Sequence, residues 1–406
     1  MQKSEVFAEM EAARKDDVNW RGGRLGLYVH FAGDDVLAVA KEAHQRFFSE
    51  NALGPSAFPS LKKFETDIVA WTASLLGSDE ATGTITSGGT ESIFLAMKTA
   101  RDCARATRPT KGTPIVVAPV SAHPAFDKAA HYLGFKVRRV GLAQNYRADA
   151  EAMASAVCKD TIAIIASAPA FPHGVIDPVR EIGNIATAHG LWFHVDACVG
   201  GFIAPFARRI GYPIPDFDFT IPAVTSISAD QHKYGFTAKG ASVLLLRDPA
   251  MMQYQVFDFD GWPRGRYRSP TFTGTRPGGP IAAAWAVLRY LGIEGYERLV
   301  RSIMKARDEL ISGIQEIEGL TIVSDPDVAV LEYATDGLDV DSLAEAMEDR
   351  GWFITRAAQP PGIHVGMLTM AHVPIVPKYL EDLRDSVRDV RAGRKAARKV
   401  TATYGG

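Results

Sequence analysis

Between residues 61 and 250 short apolar runs alternate with longer amphipathic stretches, and this rhythm constrains the fold more than any other feature of the chain. Helical spacing of apolar side chains covers 61–76, 90–105, 124–133, 148–157 and 178–189. Between and after these lie extended, apolar or β-branched segments at 83–86, 114–118, 136–140, 161–167, 191–197 and 224–228. Strands that are apolar on both faces and separated by helices predict a mostly parallel central sheet with helices on both faces. The expected fold class is α/β.

The rhythm changes at both ends. Residues 5–14 and 35–48 read as helices, joined by a Gly-rich stretch that ends in Leu27 and Tyr28. Segment 51–60 carries Gly54, Pro55 and Pro59 and is not helical throughout. Past residue 280, helices at 280–290, 296–317, 340–348 and 379–399 mix with short strands at 320–323, 328–333 and 364–371. The expected organisation is a helical arm with active-site loops over 1–60, a large domain over 61–293 and a small C-terminal α+β domain over 294–406.

Composition removes several function classes. Lys plus Arg number 45 against 47 Asp plus Glu, so no excess of cations is available to bind nucleic acid. A hydrophobic share of 47% with 23% charged residues is that of a globular chain. Three cysteines form no disulfide framework. The longest apolar runs fall well short of the roughly 20 residues that span a bilayer, and the polar N-terminus has no apolar core of a secretory signal. A cytoplasmic protein is expected.

Three segments carry chemistry. In Ser226-Ile227-Ser228-Ala229-Asp230-Gln231-His232-Lys233 a strand ends and presents His232 and Lys233 beyond it, where open α/β sheets bind ligands. A lysine desolvated there would have a lowered pKa and a free amine for Schiff-base chemistry. In Phe193-His194-Val195-Asp196, His194 and Asp196 share a strand face, and an Asp at the strand mouth could hold a protonated pyridine nitrogen. Thr86-Ser87-Gly88-Gly89-Thr90 leads into a helix whose N-terminus suits a phosphate. Each has a plainer reading, as a surface lysine, a capping Asp and a helix cap. A metal reading of His194, Asp196 and His232 lacks a tight ligand motif. Cradle, acid and amine in this chain order together suggest a pyridoxal-phosphate enzyme.

The sequence resembles the sphingosine-1-phosphate lyases, within the fold type I pyridoxal-phosphate enzymes and beside the amino-acid decarboxylases. Matching segments are T-S-G-G-T-E-S-I (86–93), S-A-H-x-A-F-D-K-A-A (121–130), F-P-H-G-V-I-D-P-V (171–179), H-V-D-A-C-V-G-G-F (194–202), V-T-S-I-S-A-D-Q-H-K-Y-G (224–235), S-P-T-F-T-G-T-R-P-G-G (269–279) and P-P-G-I-H (360–364). The resemblance implies pyridoxal 5'-phosphate as cofactor, with Lys233 as its Schiff-base lysine, Asp196 on the ring nitrogen and His123 stacked on the ring. It implies Gly88, Gly89, Thr90 and His232 around the phosphate, and Gly274 and Thr275 closing the phosphate site of a second subunit in a homodimer with shared active sites. Tyr28 and Lys239 match residues of the substrate site, with Tyr28 assisting a proton transfer.

The implied reaction is retro-aldol carbon–carbon cleavage of a sphingoid-base 1-phosphate, or a similar phosphorylated β-hydroxyamine, to an aldehyde and phosphoethanolamine. Decarboxylation of an amino acid is the alternative, and a non-catalytic protein of the same fold a further one. His364, Arg276 and His173 read equally as turn-stabilising residues, and Cys198 as a packed small residue. The family's N-x-L-H-P loop reads Asn51-Ala52-Leu53-Gly54-Pro55 here, without the His. Arg264, Arg266 and Arg268 stand where relatives are mostly uncharged, so Arg264 and Arg266 are expected to bind an anionic group of the substrate, with a solvent-facing basic loop as the equal alternative.

Overall fold

In the computed structural model of the chain, residues 1–397, 400, 402 and 403 are described. The central sheet has seven strands: β1 (Thr82–Thr86), β2 (Ile115–Pro119), β3 (Lys136–Val140), β4 (Thr161–Ser167), β5 (Trp192–Asp196), β6 (Ser226–Ala229) and β7 (Ser242–Leu246). Their order is β1-β7-β6-β5-β4-β2-β3, and all run parallel except β7, which pairs antiparallel with both β1 and β6. β4 is buried along its whole length, as its unbroken apolar run requires. Alternate residues enter two cores: Ile164 and Ala166 join Phe193 and Val195 on one face, while Ile165 joins Val116 and Ala118 on the other. Each fully buried large side chain there contributes about 1.5–3 kcal/mol.

The sheet is laid out so that β1, β4, β5 and β6 end on one side, at Thr86, Ser167, Asp196 and Ala229. Helix Gly89–Thr107 follows β1 with Gly88 as its N-cap, and helix Ala125–Leu133 follows β2. A hairpin of β8 (Phe257–Phe259) and β9 (Tyr267–Ser269) projects before the longest helix, Gly278–Gln315. That helix turns sharply at Gly292, whose φ of 53° and ψ of −170° are not helical; this is why the sequence reads as two helices there. A second sheet, β10 (Leu320–Ile322), β11 (Val330–Thr335), β12 (Thr355–Ala358) and β13 (Pro361–Met367), is antiparallel in the order β10-β11-β13-β12.

Two expectations shift. The last helix covers Val376–Arg391 rather than 379–399, because Gly393 takes a φ of 103° just past its end; Lys399 lies outside the described residues. The run at 364–371 is strand only to Met367. Among the described residues no helix is long and apolar enough to cross a membrane.

Candidate active site

The strand ends enclose a cavity of about 340 Å³, and Gly88, Gly89, Thr90, His123, Asp196, His232 and Lys233 all line it. Residues that the sequence scatters from 88 to 233 thus face one space, because parallel strands deliver their carboxyl ends to the same edge.

Lys233 departs from expectation. Burial alone would push its pKa down, but the Asp230 carboxylate, with Oδ2 2.9 Å from Nζ, outweighs burial and holds the ammonium above its ordinary range. The expected lowered pKa is therefore corrected: in this state the amine is an ion-paired ammonium. Asp230 is itself buried, and despite burial its pKa is lowered by Lys233 and His232. Sequence reading passed it over, although a carboxylate three positions before a lysine was a visible signal. His232 Nε2 lies 3.5 Å from the same Asp230 oxygen, and burial lowers its pKa.

Asp196 closes β5. Its Oδ1 accepts from the Cys198 backbone N–H at 3.1 Å and from Ser228 Oγ at 3.3 Å. Cys198 is buried, and burial raises its thiol pKa, consistent with a packed residue. His123 follows β2; its Nδ1 accepts the Ala125 N–H at 3.1 Å, which fixes the ring, and burial lowers its pKa. His194 lies beneath the cavity rather than in it, with Ser226 Oγ 2.8 Å from Nδ1 and Ser228 Oγ 3.2 Å from Nε2. Both ring nitrogens are thus engaged, which leaves neither for a metal.

The Gly88–Gly89 turn is built tightly. A Cβ on Gly89 would meet Cys198 Sγ at 2.7 Å and Asp230 Oδ2 at 3.0 Å, and one on Gly88 would meet His232 Cε1 at 3.3 Å. Glu91 secures the turn, accepting from Ser87 N–H and Oγ–H at 2.7 Å each and, through its other oxygen, from Phe272 N–H at 3.0 Å. Pyridoxal phosphate fits this donor set. An amine, a carboxylate, an aromatic imidazole and a helix N-terminus line the same space. Ser167 Oγ, His232 Nδ1 and Asp230 Oδ1 are also buried there without a protein partner among the described residues.

The expected substrate residues divide. Lys239 donates to the His232 carbonyl at 3.0 Å, and its Nζ lies 3.2 Å from His30 Nδ1. Though the residue is exposed, its ammonium is enclosed, and burial followed by repulsion from Lys233 lowers its pKa to about 8. His30, missed in the sequence, also places Nε2 3.3 Å from Sδ of Met367, a residue of the cavity wall. Tyr28 is not on that wall: 51% exposed, it sits edge-on to Phe353 with a φ of 66°. Nor are Arg264 and Arg266, which stand exposed at the β8–β9 hairpin. Arg266 forms two 2.6 Å bonds to Asp258, and Arg268 lies 3.3 Å from the same carboxylate. Within one chain Arg266, half of the expected anion site, is thus ion-paired with Asp258.

Gly274 and Thr275 also lie away from their own chain's cavity wall. Arg276 beside them is ion-paired with Glu65 and donates to the Ala52 carbonyl at 3.1 Å, while Ala52 N–H donates to the Arg276 carbonyl at 2.9 Å. His173 lies 3.3 Å from Glu332, and His364 Nε2 is 3.0 Å from the Phe171 carbonyl, so all three serve structural contacts.

The pattern of the family described as pyridoxal-dependent decarboxylase conserved domain matches residues 31–334. The chain is 40% identical over 396 residues to a sphingosine-1-phosphate lyase of Arabidopsis thaliana, covering 96% of this chain and 72% of that protein. It is 39% identical over 399 residues to sphingosine-1-phosphate lyase 1 of Rattus norvegicus, covering 97% and 69%. The solved sphingosine-1-phosphate lyase of Burkholderia pseudomallei superposes with a TM-score of 0.92 at 35% identity, covering 97% of this chain and 92% of that one.

Proposed function

The chain belongs to the pyridoxal-dependent decarboxylase family and, within it, to the sphingosine-1-phosphate lyases, and from that premise we propose that it is a pyridoxal-phosphate-dependent carbon–carbon lyase. Its substrate is a sphingoid-base 1-phosphate or a closely similar phosphorylated β-hydroxyamine, cleaved to an aldehyde and phosphoethanolamine. The observation that carries the reading is the convergence of Lys233, Asp196, His123 and the Gly88–Gly89–Thr90 turn on one cavity.

When bound, pyridoxal phosphate supplies the electron sink for the pair released as the Cα–Cβ bond breaks. The chain supplies the rest. Lys233 offers the amine for the cofactor's aldehyde, and Asp230 takes up the ammonium whenever that amine is released. Asp196 would keep the ring nitrogen protonated, His123 would back the ring, and the helix N-terminus with His232 would hold the phosphate. Lys239, beside His30 and bonded to the carbonyl of the wall residue His232, receives the substrate's anionic group or passes a proton from the hydroxyl.

The working unit in this proposal is a homodimer in which Gly274 and Thr275 complete the neighbour's phosphate site. Support comes from their position off their own cavity and from an aromatic patch that begins at Phe272, 54% exposed, and runs through buried Phe94 to Tyr132, 68% exposed. Residues 61–293 act as the cofactor domain and 294–406 as the small domain, with 1–60 contributing arm and loops. Free Cys103, Cys158 and Cys198 suit the cytoplasm, where sphingolipid breakdown would take place.

The test is mass spectrometry of products after cofactor-loaded protein meets sphinganine 1-phosphate. Aldehyde and phosphoethanolamine are expected, and Lys233→Ala should give neither. Carbon dioxide from an amino acid, with no aldehyde from the phosphorylated amine, would move the assignment to decarboxylation.

A further inference from the structure

A row of polar side chains runs under Asp196 on the sheet face away from Phe193 and Val195. Trp192, His194 and Asp196 alternate along β5 and share that face. On β6, Ser226 stands opposite His194 and Ser228 opposite Asp196. The row is continuous: Trp192 Nε1–H donates to Ser226 Oγ at 2.8 Å, Ser226 Oγ is 2.8 Å from His194 Nδ1, His194 Nε2 is 3.2 Å from Ser228 Oγ, and Ser228 Oγ is 3.3 Å from Asp196 Oδ1.

The chemistry of the two ends sets the direction of every bond. An indole N–H only donates and a carboxylate only accepts. His194 is fully buried, and burial lowers its pKa to about 4, so the ring is neutral, with one donor and one acceptor nitrogen. One proton arrangement satisfies all four contacts: the Ser226 hydroxyl donates to Nδ1, Nε2–H donates to Ser228, and Ser228 donates to Asp196. Every dipole then points toward the carboxylate, and such chains polarise one another. With the Cys198 N–H, two donors meet on Oδ1. Phe126 covers the imidazole edge-on at 6.0 Å between ring centres.

We propose that His194 is a positioning residue for Asp196: acting through Ser228, it fastens Oδ1 and keeps the carboxylate's second oxygen presented as an anion to the cavity. The inference rests on the reading of Asp196 as the partner of the cofactor's ring nitrogen, and it adds residues which that reading leaves unassigned. Neither His194 nor Ser228 touches the reacting atoms.

The experiment uses Ser228→Ala, His194→Asn and His194→Gln in the full chain, with two readouts that do not depend on turnover. These are the dissociation constant for pyridoxal phosphate and the pH at which the bound cofactor's absorbance changes; thermal unfolding checks the fold. A Gln amide can replace Nε2–H as donor to Ser228, whereas the shorter Asn reaches only the Nδ1 position. Ser228→Ala and His194→Asn should each weaken cofactor binding about tenfold or more and displace the absorbance transition, and His194→Gln should restore much of both. Folded Ser228→Ala with the unmodified protein's dissociation constant and transition overturns the proposal, even if the His194 variants fail to fold. Failure of the unmodified chain to bind pyridoxal phosphate would overturn the cofactor reading, and this inference with it.

Discussion

Nζ of Lys239 lies 3.2 Å from Nδ1 of His30, a pairing across more than two hundred residues of sequence whose members touch the cavity-wall residues His232 and Met367. Burial and the Lys233 ammonium bring the Lys239 pKa to about 8, and His30 is held well below its usual value by burial and by Lys239. In cofactor-free protein, acetic anhydride at pH 8 should label Lys239 ahead of exposed lysines such as Lys3 and Lys15. Removing one cation with Lys233→Met should raise the Lys239 pKa and slow its labelling, read by peptide mass spectrometry across pH. Equal labelling in both proteins would refute the coupling.

Asp177 offers a second pH signature. Burial raises its carboxyl pKa to about 6 from 3.8, despite N–H donation from Ala148 at 2.8 Å and Ser167 at 2.7 Å. The folded chain therefore binds a proton here that the unfolded chain releases. This contribution to stability is complete below pH 3.8 and is lost as pH rises through 6. Relative to Asp177→Asn, the unmodified protein should lose about 2 kcal/mol of advantage between pH 4 and 7, measured by thermal unfolding. A constant difference would contradict the assignment.

Arg276 and Glu65 form a largely enclosed ion pair. Arg276→Met should destabilise the chain by about 3 kcal/mol because it strands the carboxylate. Adding Glu65→Gln should cost much less than Glu65→Gln alone does, and a double-mutant cycle measures the difference. Additive effects would show that the pair is not coupled.

At the β8–β9 hairpin, Asp258 occupies the Arg266 fork. Arg266→Ala should leave KM for sphinganine 1-phosphate within about twofold of its original value, whereas Lys239→Met should raise it about tenfold or more. The reverse order would return the anion site to the hairpin.

What the sequence made legible follows physical lines. Strands such as Thr161–Ser167 and Lys136–Val140 were readable because burial on both faces, or pairing at an edge, leaves a local pattern. Ser242–Leu246 is equally apolar but could not be placed as an antiparallel strand, since direction depends on the connection and not on composition. Lys233, Asp196, His123 and the Gly88–Gly89 turn were visible as motifs, and parallel topology unites them. The sign of the Lys233 shift was not visible, because it depends on the rotamer that brings Asp230 within 2.9 Å. Tyr28 and His30 are two residues apart, yet Tyr28 faces Phe353 while His30 faces Lys239. A positive φ at Tyr28 is a backbone fact that no spacing rule announces.

The segment that holds Gly54 is stitched to Arg276 through paired backbone and side-chain bonds at Ala52. Asn51 also bridges to Pro277. Specificity grafting therefore has a larger unit than the five-residue loop. A transplanted Asn51–Pro55 segment that disturbs Ala52 would carry its disturbance along the chain to Thr275 and Gly274, next to Arg276, and a loop exchanged together with Glu65 and 274–277 should keep its shape in the new host.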